Sequence, residues 1–312
     1  MPVVDQAALE YALLKDAYSL DSLGSGLGRT PFFVYYQPIT SFDGRTGWVE
    51  ALLRYRYERA LLTPGDFIPL LESVGIFGDM AGPIIDQVLL DSKTIHLVDP
   101  TIRISINFSN EQLSSFRPAE FFRSRLQRVK VPALLFGVEV SEHDEIPVDS
   151  AAYHELLRFA TAGHPILLDD YGIGYSNLSR LTDLPASVIK LDKKFLANLR
   201  RADPRSMTIV GSVVQLAHAL DLKIIGEGVE TKEQLDVLRG LGCDYYQGFY
   251  LARPMPLVSF VSLLQGRISR RNILCPRDRS MGDHDRPSAD RNASSLLQEL
   301  LARCLRGAAG SA

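Results

Sequence analysis

The sequence predicts an α/β protein in which eight strands close into a β/α barrel around one polar site. Three observations lead there. Apolar runs alternate with helical patterns over about 240 residues, as in α/β chains. The runs number eight, which favours a closed barrel over an open sheet. Run after run also ends in a polar group: Glu50, Asn107, Glu139, Asp169 with Asp170, Lys190 and Glu227, with Gln247 following a turn-like segment. An unpaired buried carboxylate is very costly, so acids at successive strand ends read as one shared site at the barrel rim.

In chain order, residues 3–20 have helical spacing and Ser22 to Gly28 breaks it, so residues 1–30 are expected to be a helix and linker. The eight runs are Phe32–Ile39, Trp48–Arg54, Ile102–Ser109, Leu135–Ser141, Pro165–Tyr171, Ser187–Asp192, Lys223–Glu230 and Tyr245–Ala252. Between the first two, Thr40 to Gly47 contains Asp43-Gly44, a hairpin turn that predicts an antiparallel first pair. Thr63-Pro64 opens a helix with proline in the first turn, where its missing N–H costs nothing. Asn110-Glu111 and Asp149-Ser150 open two more, and Thr231 with Gln234 has capping-box spacing. The barrel is expected over residues 31–266. Residues 267–293, rich in Arg, Asp, Ser and Pro, have the composition of a disordered segment. A leucine-rich amphipathic stretch follows at 294–306, so 267–312 is expected as a disordered or partly helical tail.

Composition narrows the function. A net charge of −3 supplies no global basic field for DNA, RNA or an anionic membrane. No apolar run approaches the ~20 residues that span a bilayer. The first twenty residues lack the basic start and apolar core of a secretion signal. Cys243, Cys275 and Cys304 have neither metal-ligand nor disulfide spacing, as expected of free thiols in a reducing cytoplasm.

The most specific segment is Leu167-Leu168-Asp169-Asp170-Tyr171-Gly172-Ile173-Gly174. Neighbouring strand residues face opposite ways, so both aspartates reach one mouth only if the chain bends, and Gly172 and Gly174 are expected to allow it. Two carboxylates this close repel unless a cation lies between them, which an aspartate shared by two metals would satisfy. Lys190 lies inside an apolar strand, where nearby carboxylates would stabilise its charge. Glu227 and Glu230 flank Gly228-Val229.

Taken in order, several motifs resemble the signatures of the EAL domain, the family of cyclic di-GMP phosphodiesterases. They are Tyr36-Gln37-Pro38-Ile39, Glu50-Ala51-Leu52-Leu53-Arg54, Asn107-Phe108-Ser109, Glu139-Val140-Ser141-Glu142 and Asp169-Asp170-Tyr171-Gly172. Further along stand Ile189-Lys190-Leu191-Asp192, Glu227-Gly228-Val229-Glu230-Thr231, and Gln247-Gly248 with Arg253-Pro254-Met255-Pro256. The likeness spans residues 31–264 and implies a modified TIM (β/α)8 barrel with an antiparallel first strand.

It also implies roles. Glu50, Asn107, Glu139 and Asp169 match the ligands of one Mg²⁺ or Mn²⁺; Asp169, Asp170 and Glu227 match those of a second, Asp169 bridging. Lys190 would hold or deprotonate the attacking water, and Glu50 and Glu227 count with it as catalytic. Gln37, Arg54, Gln247 and Pro254 would bind the dinucleotide or orient groups that do, and Glu142 and Glu230 would support the ligands from behind. Five carboxylates against one lysine leave four negative charges, which two divalent cations balance. The implied reaction opens cyclic di-GMP to linear pGpG in a cytoplasmic bacterial signalling enzyme of the kind tied to biofilm formation, active as a homodimer or with a regulatory protein partner. A catalytically silent cyclic di-GMP receptor is the alternative; degenerate members usually lose the first Glu, one Asp of the pair or the lysine, all kept here. Ile173, Ser141 and Gly226 depart from the usual threonine, threonine and alanine. Ile173 bears on loop regulation.

Overall fold

Two long strands, β1 (Phe32–Ser41) and β2 (Thr46–Tyr57), pair antiparallel through nine residue pairs from Phe32↔Tyr55 to Thr40↔Thr46, as the Asp43-Gly44 turn requires. They begin the barrel seen in a computed structural model of the chain, which describes residues 6–23, 27, 30–115, 117–172, 179–199 and 204–274. β3 (Ala60–Leu62) extends β2 as a short hairpin that the sequence reading did not anticipate. There follow β4 (Arg103–Asn107), β5 (Phe136–Ser141), β6 (Ile166–Tyr171), β7 (Val188–Leu191), β8 (Lys223–Gly226) and β9 (Tyr245–Tyr246). From β2 through β4 to β9 neighbours run parallel, and β9 meets β1 antiparallel through only two pairs, Thr40↔Tyr246 and Ser41↔Tyr245. The ring therefore closes as a modified TIM barrel with its first strand reversed.

Three sequence expectations shift. Strands seven and eight were expected to reach Glu230 and Ala252, yet β8 ends at Gly226 and β9 at Tyr246. Beyond them the two loops bond to each other, Val229 N–H to the Gln247 carbonyl at 3.0 Å and Tyr250 N–H to the Val229 carbonyl at 2.9 Å. Helix Leu257–Leu274 runs past the expected boundary at 266, and Arg267 Nη1 donates to the hydroxyls of Thr40 and Thr46 at 3.1 Å each. Residues 275–312, including the leucine-rich stretch, lie outside the described residues. At the other end, helix Gln6–Leu23 bears out the expected helix from Gln6 onward but runs on through Ser22, where the break was expected, and residues 1–5 lie outside the described residues. Thr231 and Gln234 exchange the expected capping bonds at 3.1 and 3.3 Å.

Inside the ring, Ile39, Trp48, Leu167, Val188 and Ile225 form one buried apolar layer with Tyr245 against it. Gly137 makes room for it: a Cβ there would stand 2.7 Å from Trp48 Cζ3 and 2.6 Å from Leu167 Cδ1. Side chains of one strand face recur every second residue. Two positions toward the mouth from each member of this layer, and from Gly137, therefore stand Gln37, Glu50, Glu139, Asp169, Lys190, Glu227 and Gln247. The apolar plug thus forms the floor of the polar site.

Outside the ring, Asp91 of helix Ala81–Val98 is buried against β1, accepting from Tyr36 Oη at 2.7 Å and Gln87 Nε2 at 2.8 Å. Burial pushes its carboxyl up to about 6, and those two hydrogen bonds only partly offset this. The folded state holds this proton more tightly than the unfolded chain. The stability it contributes is therefore full below the ordinary carboxylate range and lost as pH rises through about 6. Asp91→Asn, with the Gln87 amide turned, removes that loss. It is expected to stabilise the protein by on the order of 2 kcal/mol at pH 7.5 and by little near pH 4, read from denaturant midpoints at the two pH values. Equal effects at both would refute this account.

Candidate active site

Lys190, 1% exposed, projects from β7 into the mouth. Its Nζ lies 2.7 Å from Glu227 Oε1, 3.2 Å from Asp169 Oδ1 and 3.4 Å from Glu50 Oε2, and it is also bonded to Glu139 Oε1. Burial alone would pull the ammonium down, but Asp169, Glu139, Glu227 and Glu50 hold it well above its ordinary value. The carboxyls of Glu139 and Glu227 are pushed well up by burial first, then by their like-charged neighbours. One cation is too little for this group of anions.

The second shell of contacts is built from amides. Asn107 Nδ2 donates to Glu50 Oε1 at 3.0 Å, and Gln247 Nε2 donates to Glu50 Oε2 at 2.7 Å and to Gln37 Oε1 at 3.0 Å. Gln37 Nε2 in turn donates to the Ala252 carbonyl at 3.1 Å. Glu50 is thereby held from two sides, by β4 and by the loop after β9.

The paired aspartates reach the mouth by a bend that Gly172 allows, as expected, and that Asp170 itself begins. The β6–β7 register is irregular between Leu168 and Tyr171, and Asp170 itself takes a left-handed φ of +55°. Its N–H donates to Asp169 Oδ1 at 2.9 Å, the local bond that makes αL tolerable for Asp. Gly172, at φ +101°, completes the bend; Gly174 and Ile173 lie outside the described residues. Burial, then Asp169 and Asp192, push the Asp170 carboxyl up to about 6.

Two groups of acids result. Glu50, Glu139 and Asp169 bring oxygens within 4.8 Å of one another, as do Asp169, Asp170 and Glu227, and Asp169 belongs to both. Glu139 Oε2 and Gln247 Oε1 are buried without a hydrogen-bond partner. An all-oxygen donor set with buried, unanswered acceptors fits hard divalent cations such as Mg²⁺ or Mn²⁺.

Glu142 stands behind the site. Its carboxylate accepts the Gly172 N–H at 2.5 Å and its own N–H donates to the Asp169 carbonyl at 2.8 Å, tying β5 to the bend. Arg180 donates to the carbonyls of Glu142 and Asp144. Glu230 lines the 240 Å³ cleft above the carboxylates, together with Gln37, Glu50, Asp169, Glu227 and Gln247. Arg54 and Pro254 do not line it. The Arg54 guanidinium is folded back, donating to the Leu53 carbonyl at 2.7 Å and lying 5.8 Å from the Tyr35 ring centre.

Three cleft residues escaped the sequence reading: Leu52, Lys193 and Phe249. Leu52 was findable, since it shares a strand face with Glu50. Lys193 opens the helix Lys193–Leu199 just after β7, and Phe249 lies in the turn after β9, so neither is marked by strand periodicity. A larger cavity of 620 Å³, lined in part by Arg123, His154 and Arg158, sits among the outer helices and contains none of the clustered acids.

The family model described as EAL domain matches residues 21–254. Among curated proteins, the chain is 32% identical over 244 residues to the cyclic di-GMP phosphodiesterase RocR of Pseudomonas aeruginosa, covering 77% of this chain and 62% of that one. It is 31% identical over 260 residues to the cyclic di-GMP phosphodiesterase PdeR of Escherichia coli, covering 83% and 38%. It thus spans less than two thirds of the length of these relatives. Among solved structures, the PaMucR phosphodiesterase in complex with c-di-GMP superposes with a TM-score of 0.69 at 33% identity, over 80% of this chain and 99% of that one. Among the described residues, no helix is long and apolar enough to cross a membrane.

Proposed function

Because this chain belongs to the EAL-domain family, we propose that it hydrolyses one phosphodiester bond of cyclic di-GMP to give linear pGpG. The observation that carries this reading is the pair of acid groups sharing Asp169, with Lys190 set among them. Glu50, Asn107, Glu139 and Asp169 would hold one divalent cation, and Asp169, Asp170 and Glu227 the other. Bound there, two such ions supply Lewis acidity and a water of lowered pKa.

The protein's own groups do the rest. Lys190, a cation fixed on four sides, positions the attacking water and offsets the charge that gathers on phosphorus-bound oxygen. The water gives up one proton as its oxygen bonds to phosphorus, the bond to the 3′ oxygen breaks, and that oxygen takes up a proton in return. Gln247, itself held by Gln37, and Asn107 lock the Glu50 carboxylate in its orientation, so no reorganisation is needed during the reaction. Glu142 holds the backbone that presents Asp169 and Asp170. Glu230 borders the cleft where the dinucleotide would lie.

The choice between Mg²⁺ and Mn²⁺, a homodimer built beside the loop after Asp170, and control by a protein partner belong to the same proposal. The direct test is chromatography after incubation with cyclic di-GMP and either ion. Conversion to pGpG, abolished by a chelator, is the expected outcome. Tight binding without product would instead identify a receptor. A single-subunit mass by light scattering at micromolar protein would count against the dimer.

A further inference from the structure

Phe249 is the aromatic residue among those lining the cleft, and it is 49% exposed despite its apolar ring. It serves no core. One partner covers it: the Arg253 guanidinium lies 4.0 Å from its ring centre, within cation–π range. The loop that carries it is firmly held. Gly248 packs so closely on Val229 that a Cβ would stand 2.1 Å from the Val229 carbonyl oxygen. The N–H groups of Leu251 and Ala252 both donate to the Gly248 carbonyl at 3.1 Å. Met255 and Tyr36 then exchange backbone bonds at 3.0 and 2.7 Å.

A flat ring, backed by a cation and fixed at the edge of a cleft whose other walls are polar or aliphatic, suits a flat aromatic ligand group. From this we infer that Phe249, stiffened by Arg253, is a stacking platform for a purine base of the substrate. The inference rests on the phosphodiesterase reading and adds a base-binding residue to it. The cluster that would act on the phosphodiester carries no feature that distinguishes one base from another, whereas a stacking platform rewards any ligand that presents a base beside the phosphate.

The test compares wild type, Phe249→Ala and Phe249→Trp in steady-state hydrolysis of cyclic di-GMP, with melting temperatures measured alongside. Phe249→Ala should raise KM about tenfold or more, the scale of losing one stacked base, with kcat little changed. Phe249→Trp should bring KM back to within about threefold of wild type, a rescue that merely filling space would not require. An alanine variant with wild-type KM overturns the platform and leaves the phosphodiesterase reading standing. A tryptophan variant as impaired as the alanine one also overturns it. A wild-type protein that neither binds nor hydrolyses cyclic di-GMP overturns both.

Discussion

Replacing Lys190 by alanine is expected to lower the rate of pGpG formation by about 10²–10³-fold, the range for losing a fixed group that stabilises charge at the reacting centre. The variant should also carry a second signature. Without metal, Lys190 is the cation that Glu50, Glu139, Asp169 and Glu227 all face, and it is 1% exposed. Removing one partner of a buried ionic group strands the other, at a cost of about 3–5 kcal/mol. Lys190→Ala should therefore melt well below wild type in chelator, and the gap should narrow when Mn²⁺ is added, because divalent ions answer the same carboxylates. Melting curves with and without metal, beside the activity assay, test both parts. Full activity, or a melting gap indifferent to metal, would refute the central role given to Lys190.

Asp169→Asn should be nearly as damaging, for a different reason. Asp169 is the member common to both acid groups, so removing its charge weakens two sites at once. The backbone should survive, since the asparagine carbonyl can still accept the Asp170 N–H that Asp169 Oδ1 now takes at 2.9 Å. The expected outcome is a loss of about 10²–10³-fold or more in turnover. Bound metal, counted by elemental analysis after gel filtration, should fall from two ions per chain to one or none. Glu139→Gln, which touches one group only, should lose less metal. Two retained ions in Asp169→Asn would contradict the shared-ligand reading.

The barrel was legible because its strands obey a simple rule. An apolar residue for the interior layer is followed two positions later by a polar one for the mouth, as in Trp48 and Glu50, Leu167 and Asp169, Val188 and Lys190, or Ile225 and Glu227. The reversed first strand was legible from one turn. What stayed hidden depends on contacts between distant segments. The loops after β8 and β9 satisfy each other's backbone, so runs with strand-like composition leave the sheet early. Asp170 shares with Gly172 the bend that was expected of the glycines alone, because the Asp169 carboxylate answers its N–H. Charge after residue 266 reads as disorder, yet Arg267 docks on two threonine hydroxyls of the hairpin. The cleft residues Lys193 and Phe249 are placed by a helix start and by a turn beyond the strand ends, where strand periodicity leaves no trace in the sequence.

The uneven stitching of the ring has a mechanical consequence. β1 is joined to β2 by nine pairs and to β9 by two, so the barrel behaves less like a hoop than like a bracelet with a clasp. Local opening follows the path of least bonding. Here that path runs beside Gln247 and Gln37, the two side chains that bridge the clasp above the sheet, the first of which grips Glu50. Anything that settled into the cleft and tightened those amides would fasten the barrel as well, coupling occupancy of the site to the stiffness of the whole ring.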